Sequence, residues 1–275
     1  MITDTCVTLY EVGPRDGLQV LSHIVDRQVK VDLVRGLVDA GLTKIEVGSF
    51  VHPKLVPNMA DSGDVFKEVK DLDAELGVLV PNNRGISRAK DAGATKFNIF
   101  YSPTNSFNIA NHGKTYQEVV DHYYDSLWVT PKEDVRVYLS MAFNSNDDEL
   151  HLAMKDAVAL GSSVVLCDTD GQATPANISK GIAIAHSYTK SIALHLHSSA
   201  DMMDNVEMAY KMGVREFDCS IGGMGGCPFV KGSMANLATE KMVQWCNERG
   251  IETGINLEAL KPVLEIVKVI KGHVA

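Results

Sequence analysis

Four times along this chain an amphipathic stretch halts at a glycine and a β-rich apolar run begins at once. The units are DAGLTKIEVGSF (39–50), DAGATKFNIFYS (91–102), ALGSSVVLCDTD (159–170) and YKMGVREFDCSIGG (210–223), with the stops at Gly41, Gly93, Gly161 and Gly213. Glycine tolerates the left-handed backbone that ends many helices, so each unit reads as a helix C-cap entering a strand. Further strand-like runs lie between them: VTLYEV (7–12), GVLVP (77–81), VRVYLSMAF (135–143) and IALHLHS (192–198). That makes eight strands, with helix-like segments after them, for example at 25–40, 115–128 and 235–249. Strict βα alternation implies a parallel sheet, and eight units favour closure over an open doubly wound sheet. The predicted fold is therefore α/β, a (β/α)8 TIM barrel forming one catalytic domain over 1–275. The segment 257–272 is expected as an additional C-terminal helix, packed on the barrel or on a partner subunit.

The 275 residues, 45% of them hydrophobic, suffice for one large core without staples. A net charge of −9 with no basic run argues against nucleic-acid binding, and an anionic substrate would have to be held by a few placed cations. No GxGxxG or GxxxxGK[ST] pattern follows a strand, which removes the usual dinucleotide and nucleoside-triphosphate readings. The five cysteines are odd in number and no secretory leader precedes the first strand, so a reduced, cytoplasmic protein is expected. Cys6, Cys167, Cys219 and Cys246 fall in strands or a helix and are expected to be buried small hydrophobes. No apolar run reaches membrane-spanning length.

In such a barrel, chemistry belongs at the C-terminal ends of the strands and in the loops just after them. Ionisable residues gather there. Arg15 and Asp16 follow strand one, Glu46 lies in strand two with Ser49 near its end, and Asp168 and Thr169 end strand six. His195 and His197 end strand seven, and Cys227 lies in the loop GGMGGCPF after strand eight. Residues i and i+2 of a strand project to the same side, so both imidazoles of HLH can reach one ion. An isolated HxH more often puts one ring against a helix, but Asp16 two strands away around a closed barrel favours the ligand reading. Nitrogen and oxygen donors without thiolate suit Mg²⁺ or Mn²⁺ and are compatible with Zn²⁺ or Co²⁺. Arg15 is either a barrel-mouth ion pair or an oxyanion stabiliser. Cys227 is either an inert small residue or the reactive group of a closing loop.

The blocks EVGPRDGLQ (11–19), KIEVGSFVHPKLVPNMAD (44–61), CDT.G (167–171), HLH and GGCPF..G...NLATE (225–240) resemble, in order and spacing, the HMG-CoA lyase family of the DRE-TIM metallolyase superfamily. The resemblance implies a divalent metal bound by Asp16, His195, His197 and Asn236. It implies that Arg15 polarises the thioester oxygen, Glu46 orients the site, Cys227 moves a proton and Glu240 is a supporting acid at the start of the last barrel helix. Gln19, Ser49, Asp168 and Thr169 match positions at or behind the substrate. The implied reaction is retro-Claisen cleavage of an acyl-CoA thioester by a homodimer. Departures cluster where the acyl group should sit: Ser198 stands where the lyases usually carry Asp, and Asp170 and Ala173 replace an apolar residue and a glycine. Lys231, Met234 and Ala235 also differ from the usual loop. A lyase for another 3-hydroxyacyl-CoA, a condensing synthase and a non-catalytic metal-binding barrel are the alternatives. Lys54, Arg84, Lys114 and Lys231 are weak candidates for the CoA phosphates.

Overall fold

A computed structural model describes residues 6–225 and 235–272. Eight parallel strands close in sequence order into a barrel: β1 Thr8–Glu11, β2 Lys44–Ser49, β3 Glu75–Leu79, β4 Lys96–Tyr101, β5 Val135–Leu139, β6 Ser163–Asp168, β7 Ile192–Leu196 and β8 Glu216–Cys219. β8 pairs back onto β1, with Thr8 opposite Glu216 and Glu11 opposite Cys219. Each strand is followed by helix: α1 Arg27–Asp39, α2 Ser62–Val69, α3 Asn83–Ala92, α4 Asn105–His112 with α5 Tyr116–Leu127, α6 Asp147–Leu160, α7 Pro175–Ala185, α8 Met202–Lys211 and α9 Thr239–Asn247. The (β/α)8 expectation is met. Among the described residues no helix is long and apolar enough to cross a membrane.

Local chemistry explains the boundaries. Thr115, Asn146 and Thr174 each cap the helix that follows, through reciprocal bonds with Glu118, Glu149 and Asn177, so orphan N–H groups of α5, α6 and α7 are satisfied. Gly93 ends α3 with φ +96°, as its C-cap position predicts. Gly161 differs. It ends α6 with φ −141°, an extended backbone open to any residue. What it requires is space, because a Cβ there would sit 2.5 Å from the Val135 carbonyl oxygen.

Three predicted strands run two or more residues past their observed ends, and that of β1 by one. β5 stops at Leu139 because Met141 turns to φ +58°, the one positive φ outside glycine among the described residues. β3 starts and ends two residues early, and β7 ends at Leu196, leaving His197 in an isolated antiparallel bridge with Asn236. Cys6 also departs from expectation: it is exposed, bridged only to Glu252 at the chain's entry, whereas Cys167, Cys219 and Cys246 are buried free thiols.

α10, Leu260–Ile270, lies beyond the eighth unit and packs on α1. The fit is close, since a Cβ on Gly36 would meet Val263 Cγ2 at 2.9 Å. The apolar core fills the layer between sheet and helices, with Leu9, Ile45, Val78, Ile99, Val137, Leu166, Leu194 and Phe217 pointing outward from successive strands. The opposite, inward face is different. Tyr10, Glu46, Asn98, Arg136, Tyr138, His195 and Asp218 are all buried, and only a small apolar patch around Val165, Cys167 and Ala193 shares that space. This barrel is thus filled largely by paired polar groups where branched aliphatics are usual.

Candidate active site

The site starts at the end of β1. Gly13–Gly17, the sequence GPRDG, winds as one π-helical turn, a shape that recurs at functional sites. It lies against the turn after β8, where a Cβ on Gly17 would meet Met224 Cβ at 2.7 Å. The turn carries Arg15 and Asp16 into the barrel mouth, both buried. Arg15 forks between two carboxylates: Nε donates to Glu46 Oε2 at 2.5 Å and Nη1 to Asp16 Oδ1 at 2.5 Å. Its Nη2 has no partner among the described residues. Burial works against the guanidinium's charge, but Glu46 and Asp16 outweigh it and hold the group ionised.

Asp16 is fixed on three sides. Beyond Arg15, Gln19 Nε2 donates to Oδ1 at 2.7 Å and Asn236 Nδ2 to Oδ2 at 2.7 Å. Burial would raise its pKa, yet Arg15 first, then His195, Asn236 and His197, keep it below the usual carboxylate range. Glu46 is pushed upward by complete burial despite Arg15 and a 2.7 Å bond from Asn98 Nδ2. Glu46 therefore anchors the Arg15 fork from behind, at a register shift between Glu46 and Gly48 that bends β2.

The two histidines are oriented by acceptors at Nδ1. His197 Nδ1 lies 2.8 Å from the Asp168 carbonyl oxygen, and a carbonyl can only accept. The proton is therefore on Nδ1, and the Nε2 lone pair faces the site. Burial, then His195, pulls the His197 pKa down to about 4, so the ring is neutral, the form that binds metal. His195 Nδ1 lies 3.1 Å from Asp218 Oδ2. Burial lowers the His195 pKa, but the Asp218 bond and charge overcome it and the net direction is upward.

Asp16, His195 and His197 each bring one ligand atom to a common centre, all within 4.8 Å of one another. Asn236 stands opposite His197, and its Oδ1 is buried without a partner among the described residues while its Nδ2 is used by Asp16 and by Met224 O at 2.9 Å. An unmet buried oxygen costs about 1–3 kcal/mol. A cation answers that cost, and the donor set of one carboxylate, two imidazoles and one amide oxygen fits a divalent ion.

The remaining predicted residues fall around this cluster. Asp168 is buried, its Oδ1 accepting from Ala173 N at 3.1 Å and its Oδ2 unpartnered among the described residues; burial raises its pKa to about 6. Thr169 Oγ1 takes the N–H of the strained Met141 at 2.8 Å, tying the exits of β5 and β6 together. Ser49 is buried, with its hydroxyl 3.3 Å from Val51 N. Glu240 does not join the cluster: in the first turn of α9 its Oε2 accepts from Gly222 N at 3.0 Å, supporting the turn after β8. Lys54 and Arg84 are exposed and Lys114 is half-covered. Cys227, with Gly226, Lys231 and Met234, lies outside the described residues. Gly225 is described, and it abuts the centre: a Cβ there would sit 2.5 Å from Asn236 Nδ2 and 2.8 Å from Asp16 Oδ2.

Sequence reasoning missed Asn98, Arg136, Tyr138 and Asp218, the polar residues behind the site. A signal existed, because strict alternation in VRVYL and EFDC puts Arg136, Tyr138, Glu216 and Asp218 on the inward face.

A family model described as HMGL-like matches residues 6–267. Hydroxymethylglutaryl-CoA lyase of Bacillus subtilis is 35% identical over 270 residues, covering 92% of this chain and 89% of the relative. The mitochondrial hydroxymethylglutaryl-CoA lyase of Arabidopsis thaliana is 35% identical over 267 residues, and the chain spans 57% of its length. Among solved structures, the HMG-CoA lyase of Bacillus subtilis superposes with a TM-score of 0.92 at 31% identity, covering 98% of this chain and 94% of its own. An HMG-CoA lyase from Acinetobacter baumannii, in complex with coenzyme A and 3-methylmalate, gives 0.93 at 30%, covering 99% and 93%. A closed eight-stranded barrel, a buried ligand cluster at its mouth and a likeness running across nearly the whole chain make this protein a member of the HMGL-like family.

Proposed function

We propose that this protein is a divalent-metal-dependent carbon–carbon lyase that cleaves 3-hydroxy-3-methylglutaryl-CoA to acetyl-CoA and acetoacetate by a retro-Claisen reaction. The observation that carries this reading is the buried cluster of Asp16, His195 and His197, completed by Asn236 Oδ1, which has no partner among the described residues, and lying beside the Arg15 fork. A divalent cation held there supplies Lewis acidity, making a tertiary hydroxyl easier to deprotonate at neutral pH.

The chain's own groups account for the rest. Asp168, with its Oδ2 buried and unpartnered among the described residues and its pKa about 6, is the carboxylate suited to take the hydroxyl proton. As the C2–C3 bond breaks, its electron pair passes to the thioester enolate and the former alcohol carbon becomes the ketone of acetoacetate. Arg15 Nη2 donates to the enolate oxygen, and Glu46 and Asp16 hold the guanidinium so that no reorganisation is needed when charge develops. Protonation of the enolate carbon gives acetyl-CoA, a step assigned through the family likeness to Cys227. Gln19 and Asn236 keep Asp16 in place throughout.

Mg²⁺ or Mn²⁺ is the metal favoured by the oxygen and imidazole donors, with Zn²⁺ and Co²⁺ compatible. A homodimer and a cytoplasmic setting belong to the same reading; the first rests on the family likeness, the second on the free thiols among the described residues. A second reading, a lyase for another 3-hydroxyacyl-CoA, is favoured by one observation: Asp170, just past β6, is half-buried and bonded by Asn144 Nδ2 at 2.9 Å. Release of acetyl-CoA from a panel of 3-hydroxyacyl-CoAs, with Mg²⁺ or Mn²⁺ present, separates the two. If metal-loaded protein releases none from any of them, only a non-catalytic barrel remains.

A further inference from the structure

The polar filling of the barrel contains a group that touches neither the metal cluster nor the substrate space, yet controls a residue that does. Arg136, on β5, is buried and held by four strands. Nη1 donates to Ser163 Oγ at 3.0 Å and to Glu216, Nε to Tyr138 Oη at 3.3 Å and Nη2 to Asp218 Oδ1 at 2.6 Å, while the guanidinium lies 4.3 Å above the Tyr10 ring. Asp218 is itself buried, and β7 and β8 pair in the register that sets it opposite His195. Its second oxygen, Oδ2, faces His195 Nδ1. Arg136 thus takes Oδ1 and His195 faces Oδ2, while the Tyr138 hydroxyl, able to donate or accept, is a further neighbour of the carboxylate and does not itself fix the choice.

From this geometry we infer that Arg136 is a positioning residue for the metal site: by fixing Asp218 it dictates the tautomer of His195. The inference rests on the proposed function in taking His195 as a metal ligand. An ionised carboxylate only accepts, so His195 Nδ1 must donate to it, and the Nε2 lone pair turns to Asp16 and His197. The assignment depends on which atom of residue 218 Arg136 claims. Guanidinium only donates. With asparagine at 218, Arg136 would claim the amide oxygen and turn the NH2 group toward His195. Nδ1 would then have to accept, the proton would move to Nε2, and the ligand lone pair would be lost. With Arg136 removed as well, the amide is released to rotate and present its oxygen to His195 again.

The test combines D218N and the double variant R136M/D218N with wild type, each checked for folding by circular dichroism and thermal melting. Nitrogen-15 NMR of histidine-labelled, metal-free protein, taken at a pH high enough that the His195 ring is neutral despite its raised pKa, reads the tautomer, and equilibrium dialysis with Mn²⁺ reads affinity. Wild type is expected to carry its His195 proton on Nδ1, D218N on Nε2, and the double variant a mixture. D218N is expected to bind Mn²⁺ about 100-fold more weakly, and the double variant to regain at least about 5-fold of that loss. Merely structural damage predicts the reverse order, with the double variant the worse. The inference is overturned if wild-type His195 is protonated on Nε2, if D218N keeps the proton on Nδ1, or if the double variant binds no better than D218N. The wild-type spectrum decides the first point even if a variant does not fold. Failure of wild type to bind Mn²⁺ would count against the metal reading instead, and the tautomer measurements would still judge the relay.

Discussion

Replacing Arg15 by Gln separates the two roles its fork performs. Gln keeps a donor but loses the charge and the second arm, so the enolate oxygen loses a charged partner that strengthens as the bond breaks. Loss of one such preorganised donor costs about 2.7–4 kcal/mol of barrier, so kcat should fall by roughly 100- to 1000-fold. The structural cost is smaller than the count of broken bonds suggests. Stranding a buried carboxylate costs about 3–5 kcal/mol if it stays charged. Glu46 escapes that cost by taking a proton, which its burial already favours, and Asp16 keeps Gln19 and Asn236 as donors. The net loss is put at about 2 kcal/mol, a fall in Tm of roughly 3–4 °C for a domain of this size. The assay is steady-state acetyl-CoA release alongside calorimetric binding of a thioester ligand, whose Kd should move by less than about 10-fold because the interaction belongs to the transition state. A folded, metal-loaded Arg15→Gln protein whose kcat stays within about 3-fold of wild type would refute the assignment.

Two further outcomes follow from the same geometry. Gly225→Ala places a methyl group against Asn236 and Asp16 at a position with φ +104°, so Mn²⁺ affinity should drop by about 10-fold or more and the backbone strain should lower Tm as well; unchanged affinity in the folded variant would show that the close approach is not needed. Glu11 is fully buried between Gly13 N, Ile221 N and Thr239 Oγ1, and burial raises its pKa from an ordinary 4.5 to about 7. The folded state therefore holds this proton more tightly than the unfolded one. The resulting stability is complete below about pH 4.5 and is lost as pH rises toward 7, on the order of 3 kcal/mol in all. Glu11→Gln should flatten the pH dependence of stability over that window; a curve that keeps the wild-type slope would assign it to other groups.

The fold was legible because each βα unit announces itself locally: capping residues such as Thr115 and Asn146, glycine stops, and strands of alternating burial. The site's front was legible for the same reason, since Arg15, Asp16, His195 and His197 stand at strand exits where apolar residues have no need to give way. Its back was not. Arg136 and Glu216 meet across 80 positions of sequence, and nothing near either names the other. His197 was read as a strand residue, yet it earns its place by bridging to Asn236 after β7 has ended. Gly161 shows the opposite error, in which the residue was anticipated and its reason was not: crowding at Val135, not handedness, requires it.

The polar filling of the barrel sorts mainly by half, with Lys44 on Glu216 and Arg136 over the Tyr10 ring crossing between the halves. Arg15, Asp16, Glu46, Asn98 and Tyr10 bond among themselves within β1 to β4 and the turn after β1, whereas Arg136, Asp218, Glu216 and His195 do so within β5 to β8. A growing chain can therefore neutralise most of its inward charge in two separate batches before the ring is complete. The proposed cation ligands obey no such division: Asp16 comes from the first batch, and His195, His197 and Asn236 from the second. An ion at that centre rivets the seam, and its binding reports that the two semicircles have met.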